Sequence, residues 1–168
     1  PIGLDPEASG NLLVLGNNGD DKTGLWSYNP KTKKHEELIY RRSDVDISYR
    51  FHTNSFTNDD EITAVSYRDG RKTKYVWFNG EEEALYNQLQ GLIPNSDRLT
   101  ISGTRDPQTM LVSNSGPRDP GTYYLVKNGK IEVVGSTYPD FASDQLADVR
   151  GISYEARDGK QIPGWITV

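Results

Sequence analysis

His35 and His52 are the only imidazoles in this sequence, and no cysteine accompanies them. Proton transfer near neutral pH would therefore fall to those two side chains or to carboxylates with displaced pKa values. His35 stands in the charged run Lys33-Lys34-His35-Glu36-Glu37, and His52 ends a strand pattern among polar neighbours. Both read as solvated surface residues, with substrate contact as the lesser alternative. The carboxylate runs Asp59-Asp60-Glu61 and Glu81-Glu82-Glu83 could supply general acids or metal ligands, but their spacing fits no calcium loop. Loop solvation and the positive end of a helix dipole account for them better. Asn17-Asn18-Gly19-Asp20-Asp21 reads as a hairpin connection for the same reason. A serine nucleophile on a sharp elbow calls for G-x-S-x-G. The nearest approach, Gly151-Ile152-Ser153-Tyr154-Glu155, lacks the second glycine and lies in a strand pattern, so Ser153 is read as a strand residue. The expected set of catalytic, cofactor-binding and metal-binding residues is empty, and no cofactor is expected.

Charge and composition narrow the partners. The formal net charge is -5, from 19 basic and 24 acidic residues. Lys and Arg are scattered instead of forming a stripe, which argues against a nucleic-acid surface. No apolar run approaches the roughly 20 residues of a membrane-spanning helix, and no signal peptide is recognised. The absence of Cys removes disulfides, thiolate zinc sites and thiol nucleophiles, and it leaves cytoplasm and periplasm equally open.

The elements that would position any site are short. Apolar runs of four to seven residues, rich in Val, Ile, Leu, Tyr and Trp, alternate with Gly, Asn, Asp and Pro, which is strand-and-turn punctuation. Strands are expected at 11–16, 24–28, 36–40, 45–52, 61–67, 74–78, 98–104, 109–114, 122–127, 130–135, 149–154 and 164–168. A helix is expected at 81–90, with Ala84, Leu85 and Leu89 on one face, and a shorter one at 140–147.

A repeat of about fifty residues organises these runs. Three aromatic strands each close on an Asn-led turn: Gly24-Leu25-Trp26-Ser27-Tyr28-Asn29-Pro30, Lys74-Tyr75-Val76-Trp77-Phe78-Asn79-Gly80 and Thr122-Tyr123-Tyr124-Leu125-Val126-Lys127-Asn128-Gly129. A hydrophobic strand containing Val14, Val65 or Val112 precedes each, and an apolar segment comes after each. The cycle is that of a hairpin-connected propeller blade. The expectation is an all-β partial β-propeller of about three four-stranded antiparallel blades, at 1–42, 43–96 and 97–138. A linker at 139–148 and a C-terminal β-hairpin at 149–168 complete the chain. Trp26, Trp77 and the tyrosines of the aromatic strands could form a ligand platform, but packing between blades suits strand alternation better. Closed propellers run to about four to eight blades, so the chain is expected to be a portion of a longer protein. Its open blade faces are expected to favour self-association.

Two strings resemble the prolyl oligopeptidase family of serine peptidases, most nearly its acylaminoacyl-peptidase-like and dipeptidyl-peptidase-like branch. Arg118-Asp119-Pro120-Gly121-Thr122-Tyr123-Tyr124-Leu125 looks like a late propeller blade of that branch. Residues 149–168, VRGISYEARDGKQIPGWITV, are similar to the stretch where the family's chain passes into its α/β-hydrolase domain. Independently of the family, Arg157-Asp158-Gly159-Lys160 carries the Asp-Gly signature of a tight hairpin turn. The resemblance implies a parent serine peptidase acting on short peptides, whose triad lies outside this sequence and whose propeller caps the active site and restricts substrate size. It also implies a partner, the α/β-hydrolase domain. The rival expectation is a non-enzymatic, TolB-like propeller that binds a protein.

Overall fold

The structure is a computed structural model that describes residues 1–51, 61–106 and 108–168. Its contacts divide into two compact units, Pro1–Tyr86 with Gly103–Pro107, and Asn87–Ser102 with Gln108–Val168.

In the first unit, β1 (Gly3–Leu4), β2 (Leu12–Gly16), β3 (Gly24–Asn29) and β4 (Lys34–Arg41) pair in sequence order as an antiparallel four-stranded sheet. A second antiparallel sheet contains β5 (Ile47–Phe51), β6 (Ile62–Asp69) and β7 (Lys72–Trp77). Strand alternation explains how the two meet. Leu13 pairs with Ser27 across β2 and β3, and Val65 with Val76 across β6 and β7. Leu13, Leu25, Ile47 and Val65 are buried together, with Ile2, Leu15, Tyr40, Ile62, Tyr67 and Val76 packed around them. The core is thus a sheet-to-sheet interface, as expected of adjacent propeller blades. Its polar member is handled locally: buried Ser27 accepts a 2.9 Å hydrogen bond from Asn11 Nδ2. Trp26 and Tyr28 project from the opposite face of β3 and stay half-buried.

Where the first sheet continues into its fourth strand, the second continues into α1 (Gly80–Leu92). The middle sheet therefore has three strands among the described residues, against the four expected of each blade. The turns preceding the two elements are alike. Asn29 Oδ1 accepts from the N–H groups of Lys31 and Thr32, and Asn79 Oδ1 from those of Glu81 and Glu82. The residues after each turn decide between strand and helix. Glu81 to Leu85 are good helix formers with an acidic first turn on a capped N-terminus. The buried positions along α1 and just past its end are Glu82, Tyr86, Leu89 and Ile93, so of the expected face of Ala84, Leu85 and Leu89 only Leu89 is buried and Leu85 is half-buried. Ala84 is exposed.

The second unit carries, but for Gly103, an antiparallel sheet of β8 (Arg98–Gly103), β9 (Thr109–Ser115), β10 (Thr122–Lys127) and β11 (Lys130–Ser136), paired in order. One face of it is buried through Leu99, Ile101, Val112, Asn114, Tyr124 and Val126. The third Asn turn differs in kind from the first two: Asn128 and Gly129 both have positive φ, 51° and 74°, as a two-residue hairpin turn of right-handed strands requires. The expected second helix is reduced to a 3-10 turn, Ser143–Gln145. The chain ends in the hairpin of β12 (Val149–Glu155) and β13 (Gln161–Thr167), in register from Val149 opposite Thr167 to Glu155 opposite Gln161. Its turn is the expected one, with Gly159 at φ 81° and Ala156 donating to the Lys160 carbonyl at 2.8 Å.

Candidate functional site

Several of the described side chains singled out for chemistry are already engaged by their local surroundings. His35, expected to be solvated, is half-buried on β4 between two rings, 5.5 Å from Trp26 and 5.3 Å from Tyr28 in edge-on geometry. The register places it opposite Tyr28, which its charged neighbours in the sequence conceal. Next to it, the Glu36 carboxylate accepts from Asn29 Nδ2 and from Asn11 Nδ2, each at 2.8 Å. Asp20 and Asp21 pair with Arg41 and Lys22 around a turn in which Asn18 and Gly19 have positive φ, in keeping with a hairpin connection. Ser153 lies in β12 and donates to Gln161 Oε1 of the facing strand at 3.0 Å. His52, Asp59 and Asp60 fall outside the described residues, while Glu61 accepts from Asn79 Nδ2 at 2.9 Å. Among the described residues no three His, Cys, Asp or Glu side chains cluster as metal ligands would.

One charged cluster is invisible to sequence patterning. Arg50, opposite Ala64, which is in turn opposite Trp77, lies on the face of the second sheet that carries Tyr75 and Trp77. Its guanidinium carbon sits 5.9, 5.6 and 5.4 Å from the ring centroids of Tyr75, Trp77 and Tyr86. A guanidinium nitrogen is 4.0 Å from a carboxylate oxygen of Glu82, which is only 4% exposed. Glu82 is therefore the one member of its acidic run that does more than complement the helix dipole. Buried charge is tolerated here because the partner carboxylate and three π faces replace water. The cluster fastens the start of α1 onto the sheet face, so Trp77 serves packing and not an open platform. The available signal is period-two alternation, which puts Arg50 on one face of β5 but does not say what covers it.

Electrostatic perturbation elsewhere is structural. Asp46 is held below its ordinary pKa chiefly by the backbone N–H of Thr23, which it accepts at 2.8 Å. Asp158 is lowered by Lys160 in the hairpin turn. The Tyr124 phenol is raised by burial first and the nearby Asp119 carboxylate second.

Two sheet faces and the hairpin present apolar surface. Leu38 on the first sheet is 38% exposed, and on the third sheet Val134 is 63% exposed. The hairpin stands out, since Ile152, Tyr154, Trp165, Ile166 and Val168 are all exposed on its two sides. Trp165 lies across Gly151 so closely that a Cβ there would come within 2.9 Å of its ring. An isolated two-stranded ribbon has no second layer to bury such residues.

No protein-family model matches the chain, and no curated protein matches it. Among solved structures it is similar to one from a structural and mechanistic study of two prolyl endopeptidases, with a TM-score of 0.52 and 14% identity. The match covers 94% of this chain and 23% of that one. The 6% left over is shorter than the Val149–Thr167 hairpin, so the likeness runs into the hairpin itself. At this identity the comparison establishes the fold: a partial, propeller-like arrangement of antiparallel sheets.

Proposed function

We propose that the chain is the non-catalytic propeller part of a serine peptidase of prolyl oligopeptidase type, with its last strands opening an α/β-hydrolase domain. The carrying observation is the terminal hairpin. Its strands are in full register, its apolar side chains are uncovered on both sides, and the likeness to a prolyl endopeptidase structure extends into it. A free-standing protein-binding ring gives that hairpin no role, which sets the TolB-like reading second. On the preferred reading the sheets form part of a wall over the active site, restricting substrates to short peptides. The catalytic serine, aspartate and histidine lie outside this chain, in keeping with the absence of a G-x-S-x-G elbow from its sequence.

The test is hydrolysis of aminoacyl and acylaminoacyl chromogenic substrates. The chain alone is expected to give no turnover, and the longer protein that contains it is expected to be active. Turnover by the chain, purified free of contaminating peptidases, would overturn the assignment of chemistry to another domain. An inactive longer protein lacking G-x-S-x-G beyond residue 168 would overturn the peptidase reading.

A further inference from the structure

The connection from the third sheet to the hairpin is pinned at both ends by one turn. At its start, Thr137 N–H donates to the Gly121 carbonyl at 2.9 Å and Tyr138 N–H to the Pro120 carbonyl at 3.2 Å. At its end, Asp148 faces Arg118 with 3.7 Å between the charged atoms. The turn itself is anchored in the buried face of the sheet. Asp119 Oδ1 accepts from the N–H groups of Gly121 and Thr122 at 2.8 and 2.7 Å, and Oδ2 accepts from Asn114 Nδ2 at 2.8 Å. Asn114 is fully buried and also accepts from Asp97 N–H and donates to the Asn95 carbonyl. Gly121, at φ 81°, packs so tightly on Thr137 that an added Cβ would lie 2.8 Å from the Thr137 hydroxyl.

We propose that the 118–121 turn is a clasp that closes the 137–148 connection on itself and fixes where the terminal hairpin leaves the last sheet. Two latches of different character work in parallel. The inner latch is backbone hydrogen bonding at Thr137 and Tyr138, braced by Asp119 and Asn114. The outer latch is the exposed Arg118–Asp148 pair, which ionic strength weakens because exposed charges are screened within a few ångströms at molar salt. Release of the outer latch leaves the connection tethered at its start alone, free to swing the hairpin. This inference rests on the fold of the second unit and not on the peptidase reading.

Chymotrypsin cleavage after Phe141, which is 55% exposed within the connection, reports the clasp. Arg118→Asp is expected to speed cleavage about two- to five-fold at low salt, the range of an exposed ion pair. The swap Arg118→Asp with Asp148→Arg restores the original rate, and 1 M salt erases the difference between all three. Gly121→Ala, which forces Thr137 away, speeds cleavage by at least about five-fold irrespective of salt. Unchanged cleavage in Arg118→Asp, or a swap that stays fast, overturns the outer latch. The unaltered chain tests the inner latch without any variant: the Thr137 and Tyr138 amides are expected to be protected from hydrogen exchange. Exchange at the rate of an unstructured peptide overturns it. Failure of either latch leaves the peptidase reading untouched, because neither measurement involves hydrolysis of substrate.

Discussion

Leu25 and Trp165 both sit within antiparallel strands, yet 1% of Leu25 and 52% of Trp165 is exposed. The difference is not in the strands. Both belong to hairpins with unbroken pairing, β2 with β3 and β12 with β13. It lies in whether a second sheet is laid against the first. Around Leu25, the second sheet contributes Ile47 and Val65 and closes a core. Around Trp165 the hairpin's neighbours in sequence stay exposed, and the ring's close contact is with the glycine across the pair. Backbone pairing makes a ribbon, and burial between ribbons makes a fold.

The largest expected effect is on the closed side of that comparison. Leu25→Ala or Val65→Ala removes methyl groups from an interface with no route for water. Loss of about 2–5 kcal/mol is expected for the leucine, and somewhat less for the smaller valine. Urea unfolding of the chain measures it. A cost below about 1 kcal/mol for Leu25→Ala would break the view that sheet-to-sheet burial holds the first unit together.

A smaller effect separates the two similar Asn turns. Asn79→Ala strips the cap from α1 and leaves two N–H groups of its first turn without their acceptor, for about 1 kcal/mol. Asn29→Ala removes the same pair of bonds from a loop exposed to water, so the cost falls below that of Asn79→Ala. Thermal unfolding and helical circular dichroism check the order. A larger loss at Asn29 would show that the turn, and not the helix it starts, is the stabilised element.

Much of this architecture is legible in residue types alone. Strand positions follow from alternation, and the fifty-residue spacing of Asn29, Asn79 and Asn128 marks three separate sheets. Local spacing does not distinguish what those asparagines do. Two are side-chain caps and the third adopts positive φ, a difference set by Gly129 and by the strand after it. Apolar Ala84 points to the wrong face of α1 and Leu85 only to its edge, because the buried positions include a carboxylate. Glu82 goes inward only because Arg50, thirty-two positions earlier, waits on the sheet face. Charged neighbours suggest a solvated His35, although cross-strand register sets it against Trp26 and Tyr28. Pairwise facts of this kind depend on register and on what covers a face, which periodicity does not encode. The expectation of an empty catalytic set rests on the missing elbow motif, the two His residues and the absence of Cys, all read from the sequence.

The smallest expected effect returns to the hairpin. Trp165→Ser removes a large ring that is half-exposed in this chain, so stability is expected to change by no more than about 0.5 kcal/mol. The same change lowers exposed apolar area and is expected to raise the concentration at which the chain stays monodisperse. In a longer protein whose hydrolase domain covers the hairpin, Trp165 becomes a core residue, and the substitution then costs about 3 kcal/mol or more. Measuring Trp165→Ser in both lengths therefore turns the exposure of one ring into a gauge of what lies against it. Equal, small costs in the two would mean that the hairpin remains bare, and the strands at the end of this chain would then belong to no second domain.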